Sequence, residues 1–140
     1  MTKNLSMLFA LSVGMVLTGC AGMDLRVDTL PTNSLYGSVP PRVITDKCRW
    51  YTKDDTPHPS TFTVLAQYVI QETPTVMLPL SAHDMICHAY EKAVKNGADA
   101  IIVDEMTTTN VAGGYARTSP VVKARAIRFN GDLPKGFNRD

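Results

Sequence analysis

Apolar residues recur at helical spacing in one stretch of this chain and alternate or cluster in short runs elsewhere. Between residues 81 and 96, Ala82, Met85, Ile86, Ala89, Tyr90, Ala93 and Val94 fall at i, i+3, i+4 and i+7. That spacing builds one apolar stripe and predicts an amphipathic helix. Ser81 with Asp84 fits the start of a helix, where a hydroxyl and a carboxylate satisfy free N–H groups. Lys92 and Lys95 occupy the last turns, where the helix dipole favours cations, and Gly97 suits the C-cap.

The remaining runs read as strands. Residues 61–71, TFTVLAQYVIQ, are rich in aromatic and β-branched side chains. Ile101-Ile102-Val103 is a short buried-looking strand. In residues 120–129, PVVKARAIRF, Val122, Ala124 and Ala126 share one face while Lys123 and Arg125 share the other. Val43-Ile44 and Cys48-Arg49-Trp50-Tyr51 suggest one or two short strands. Loops are expected at 53–60 (KDDTPHPS), at 72–80 with Pro74 and Pro79, and at 107–119 around Gly113-Gly114. Residues 131–140 read as a frayed tail. The expected fold is α+β: a small mixed or antiparallel sheet of about four strands, packed by the helix over 81–96. It forms a single domain over residues 42–130, with no internal repeat.

The N-terminus follows a different plan. A positive start at Lys3 precedes the apolar run LSMLFALSVGMVL from Leu5 to Leu17, which is the layout of a secretory signal. The run is too short for a bilayer span, which needs about 20 apolar residues. It ends in Leu17-Thr18-Gly19-Cys20. This resembles a bacterial lipoprotein signal, in which the cysteine is lipidated and becomes the first mature residue. The resemblance implies a signal peptide over 1–19, diacylglycerol and palmitate on Cys20, and a membrane partner reached through the lipid. Ala21 follows where an Asp would resemble an inner-membrane retention signal, so the expected location is the outer membrane with the domain in the periplasm. Residues 20–41, with Pro31, Pro40 and Pro41 among Asn, Thr, Ser and Gly, are expected to be a lipid-anchored flexible tether.

Charge narrows the function. The chain has 14 Lys+Arg and 13 Asp+Glu; removing residues 1–19 takes away only Lys3, leaving 13 of each sign. A near-neutral domain argues against nucleic acid as a partner and against a polybasic membrane surface.

Once Cys20 is given to lipid, Cys48 and Cys87 remain, and an exported compartment favours a disulfide between them. A competing reading uses the densest cluster of reactive side chains, His83-Asp84-x-x-Cys87-His88. His83 and Cys87 lie four apart on the helix, and His and Cys are zinc-type ligands. With His83, Cys87 and His88 as ligands, Cys48 and His58 are candidates to complete the set. A disulfide would remove the thiolates, so the two readings exclude each other. No cofactor is expected. A nucleophile built on Cys87 and His88 fails on geometry, since adjacent helical positions point about 100° apart, and no serine-hydrolase, metalloprotease or phosphate-loop motif is present. Asp99, Asp104 and Glu105 flank the strand at 101–103 and read as solvated strand ends, with an acidic pocket as the alternative. Gly113, Gly114, Tyr115 and Arg117 form a candidate contact loop, because loops often carry function, with a plain hairpin connection as the favoured alternative.

The stretch Ala93-Val94-Lys95-Asn96-Gly97-Ala98-Asp99-Ala100-Ile101-Ile102-Val103, with the later strand Val121–Phe129, is similar to a pattern in small envelope proteins. It resembles the fold of the Rcs-type envelope stress sensor lipoprotein and of the YbjQ-like proteins over residues 81–129. The chain departs from the sensor in having one cysteine pair where the sensor resembles a two-disulfide design. The expectation is a non-enzymatic, lipid-anchored protein with an envelope protein partner, in stress sensing, assembly or scaffolding. The alternatives are a metal- or small-ligand-binding module and a subunit of a secretion or envelope machine.

Overall fold

The computed structural model describes residues 25–44, 46–73, 80–112 and 116–137. These described residues hold five strands and one α-helix: β1 (Leu25–Pro31), β2 (Trp50–Tyr51), β3 (Phe62–Glu72), α1 (Ala82–Lys95), β4 (Ala100–Ala112) and β5 (Ala116–Phe129). One mixed sheet runs in the order β1-β3-β5-β4-β2, with α1 packed on β3, β4 and β5. All pairs are antiparallel except β2 with β4. The fold is therefore α+β as expected, with five strands rather than about four.

The helix forms where its stripe predicts. Ser81 Oγ accepts from the Asp84 N–H at 3.1 Å, and Met85, Ile86, Ala89, Tyr90, Ala93 and Val94 are buried on the sheet. At the other end the Gly97 N–H donates to Val94 O and the Ala98 N–H to Ala93 O, both at 3.0 Å. This double return satisfies the last carbonyls and requires a left-handed residue, which Gly97 supplies at φ 100°. A Cβ there would also overlap Val39.

Two strands carry an extra residue. The β3–β5 register shifts between Val64 and Ala66, and the β4–β5 register shifts between Val103 and Glu105. At the first, the Leu65 carbonyl accepts from the N–H groups of both Thr32 and Asn33. Bulges of this kind let a strand change which residues face inward; Leu65 and Ala66 are consecutive and both buried.

Four expectations need correction. The tether expected over 20–41 is part of the fold from Leu25 onward. Leu25, Val27 and Thr29 are partly buried in alternation with exposed Arg26, Asp28 and Leu30, the signature of an edge strand. The chain then crosses the end of α1, where the Gly37 N–H donates to Asn96 O at 2.8 Å and the Tyr36 and Tyr68 hydroxyls meet at 3.0 Å. The domain therefore extends N-terminal of the expected boundary at residue 42. Next, the hairpin expected around Gly113-Gly114 has longer strands than the loop at 107–119 allowed, with register continuing to Ala112↔Ala116. Thr107–Asn110 are exposed on both faces of β4, so this part of the strand gives no alternating pattern. The short strand at 101–103 is likewise the first part of a 13-residue strand. Finally, the tail expected over 131–140 is packed as far as Phe137, which is buried edge-to-face on Phe129 with ring centroids 5.5 Å apart.

Candidate functional site

The expected cysteine pair is formed. Cys48 and Cys87 are joined by a disulfide, with Cα atoms 5.4 Å apart and a sequence separation of 39. The bridge ties the segment before β2 to the middle of α1. His83 Nε2 lies 3.5 Å from Cys87 Sγ, and its ring sits 6.4 Å from that of Trp50. His88 lines a shallow recess with Leu80, Asp84, Cys87 and Glu91. The metal reading is corrected here: the disulfide consumes the thiolates it needs, and no group of three metal-ligating side chains occurs among the described residues. His58 lies in the loop before β3 and lines a different concavity from His88.

The carboxylates expected as solvated strand ends are paired. Asp99 is fully buried and accepts from Arg42 Nε and Nη2 at 3.0 and 2.7 Å and from the Phe129 N–H at 2.8 Å. Arg42 also donates to the Phe129 and Gly131 carbonyls at 2.7 and 2.6 Å. Its hydrogen bonds to Asp99 hold the guanidinium pKa above the ordinary value, against the opposing effect of burial. Asp104 pairs with Arg125 through two hydrogen bonds of 2.8 Å, and Glu105 lies 3.5 Å from Lys123. These pairs line a groove of about 380 Å³ on the charged side of β4 and β5. A groove floored by ion pairs that already satisfy each other offers little to a charged ligand.

The more permissive concavity lies at one end of the sheet. It measures about 670 Å³ and has Tyr51, Phe129, Pro57 and Pro134 as apolar walls, with His58, Asn130 and Asp132 as polar groups. Topology assembles it from three distant parts of the chain: the end of β2, the turn before β3 and the turn after β5. Burial raises the Tyr51 pKa, and nearby Arg49 partly opposes this. Asn130 is fixed, accepting from Thr63 Oγ1 at 2.7 Å and donating to Ser60 O at 3.2 Å. His58 Nδ1 lies 2.8 Å from Ser60 Oγ and also accepts the Ser60 N–H at 3.2 Å. That second bond makes the imidazole the cap of the short 3₁₀ turn Pro59–Thr61. Loop composition at 53–60 announced a turn, but only tertiary pairing brings Phe129 and Asp132 beside it.

In the candidate contact loop, Gly113, Gly114 and Tyr115 lie outside the described residues, and Arg117 belongs to β5 opposite Val111. The leader, Cys20 and the residues to 24 also lie outside them. Among the described residues no helix is long and apolar enough to cross a membrane.

No family model matches this chain, and no curated protein matches it. Among solved structures, the crystal structure of a Francisella virulence factor, FvfA, superposes with a TM-score of 0.44 at 16% identity. The alignment covers 74% of this chain and 97% of that one.

Proposed function

We propose that this is an outer-membrane lipoprotein, anchored through Cys20, that works without catalysis by binding another envelope protein in a sensing, assembly or scaffold role. The observation that carries the reading is the opposition of two ends. Leu25, where the chain enters the fold, pairs with Glu72 at the end of β3. The Tyr51–His58–Phe129 cavity sits at the other end, beside Phe62. Eleven residues of β3 separate them, roughly 33 Å at about 3.3 Å per step. An anchor at one end would present the cavity at the other, away from the lipid.

The disulfide supports an exported location, because such bonds persist in oxidising compartments. The open, aromatic- and proline-walled cavity with a polar rim suits a segment of protein chain, since aromatic anchors with peripheral polar groups dominate protein contacts. The same geometry serves a subunit of a larger envelope machine. The metal-binding alternative loses Cys87 to the bridge.

A photo-crosslinking side chain placed at His58, in the full-length membrane-bound protein, tests this reading. We expect a discrete adduct with an envelope protein from His58, and none from Gln67, which is exposed on the body of the sheet. Equal adducts from both positions, or a hydrolytic or transfer activity abolished by His88→Ala, would contradict it.

A further inference from the structure

We infer that the Cys48–Cys87 bridge is a thiol-exchange site, at which Cys87 takes up the sulfur of an incoming thiol that carries positive charge beside it. The site stands independently of the lipid on Cys20.

The two sulfurs are unequally placed. Both cysteines are half-buried. Cys48 packs against the apolar core, whereas Cys87 lines an open surface recess of about 360 Å³. Access helps decide which sulfur of a disulfide is attacked, and here it selects Cys87.

His83 stands beside that sulfur. Its Nε2 lies 3.5 Å from Cys87 Sγ, and its exposed ring sits 6.4 Å from that of Trp50. In the tautomer protonated at Nδ1, Nε2 offers a lone pair next to the attacked atom. The thiolate is the nucleophile, so a base at this point assists the attack. His83 Nε2 takes the proton of the incoming thiol, and the thiol sulfur bonds to Cys87 Sγ. The bond between the two cysteine sulfurs breaks, and its electron pair leaves on Cys48 Sγ. Apolar surroundings disfavour a thiolate, so Cys48 takes a proton from water while His83 returns its own. One disulfide replaces another, one thiol is consumed and one is released. The exchange is a stoichiometric modification, with no net gain or loss of electrons and no turnover.

The recess sets the preference among thiols. Asp84 and Glu91 line it with Leu80 and His88, and no Lys or Arg does. Lys47 and Arg49 flank Cys48 on the other side of the bridge, and the Arg49 guanidinium lies over the Phe137 ring, 5.1 Å from its centre. Carboxylates a few ångströms from the incoming sulfur attract a cationic thiol and repel an anionic one.

The test uses the full-length protein isolated from membranes in neutral detergent. Excess cysteamine supplies a cationic thiol and mercaptopropionate an anionic one. Aliquots are quenched in acid, free thiols are alkylated, and the peptides are mapped by mass. Each opening rate is divided by the rate of the same thiol with hydroxyethyl disulfide, which removes differences in nucleophilicity. We expect cysteamine on Cys87 and the alkyl group on Cys48. Cysteamine should open the bridge about fivefold faster at low salt, and the advantage should vanish in about 1 M salt and in the Asp84→Asn, Glu91→Gln pair. His83→Gln should slow both thiols about tenfold. Cysteamine mapped to Cys48, equal rates for the two thiols, an undiminished rate in His83→Gln, or a bridge that stays closed would each overturn the inference.

Discussion

Arg42 and Asp99, 57 residues apart in sequence, form a two-pronged ion pair whose carboxylate is completely shielded from water. The pair joins three pieces of chain: the strap that follows β1, the turn after α1 and the end of β5. Removing one partner of such a pair strands the other charge in a poor environment, at a cost of about 3–5 kcal/mol. Asp99→Ala also leaves the Phe129 N–H without its acceptor. We expect this variant to lose about that much stability in urea denaturation. Arg42→Met, which leaves the same carboxylate buried, should be comparably damaging; if both changes prove neutral, the network is not structural.

The disulfide closes a loop of 39 residues. On the chain-entropy model this stabilises by about 4 kcal/mol. Reduction, or the Cys48→Ser and Cys87→Ser pair, should lower the thermal midpoint markedly. An unchanged midpoint on reduction would mean that α1 is held to the β2 segment by packing alone.

Tyr68 gives the fold an alkaline limit. Burial, reinforced by the hydrogen bond with Tyr36, pushes its phenol well above the ordinary value of 10.0, and burial raises Tyr90 as well. The folded state therefore holds these protons after the unfolded chain has released them. Their contribution is fully present below pH 10.0, the ordinary value of a phenol in the unfolded chain, and is lost as pH climbs from there towards the raised folded values. Thermal melts should fall steeply above that point, and Tyr68→Phe should flatten the decline while costing about 1 kcal/mol at neutral pH through the lost hydroxyl pair. An identical alkaline slope in the variant would contradict this.

Gly97 answers two demands at once, a left-handed backbone and the close approach of Val39. Gly97→Ala should destabilise by about 2–3 kcal/mol, the upper part of the usual range for forced left-handed residues. Val39→Ala in the same chain should recover part of the loss, measurable as a non-additive double mutant. Simple additivity would show that the backbone angle alone matters.

What was legible in the sequence follows burial. The helix over 81–96 has one buried face and one wet face, so its period is plain, and Gly97 marks its end. β3 and the inner half of β5 were equally readable. β1 was obscured by Pro31 and by its few apolar residues, although Leu25, Val27 and Thr29 do alternate. The outer part of β4 was read as loop because Thr107–Asn110 are exposed on both faces, and no alternation arises there. The packing of Phe137 is a long-range event that local pattern does not encode. Cys48 and Cys87 could be paired by counting, once Cys20 was set aside. The cavity at Tyr51, His58 and Phe129 could not be found that way, since its walls come from segments that meet only in the folded sheet.

The central claim is that Cys20 anchors the domain by one end. Intact-mass analysis of the protein isolated from bacterial membranes, beside its Cys20→Ser variant, tests this most directly. The account predicts a wild-type chain beginning at Cys20 with added acyl mass, and a variant retained as unacylated precursor. A wild-type chain of unmodified mass, or one beginning at another residue, would contradict it.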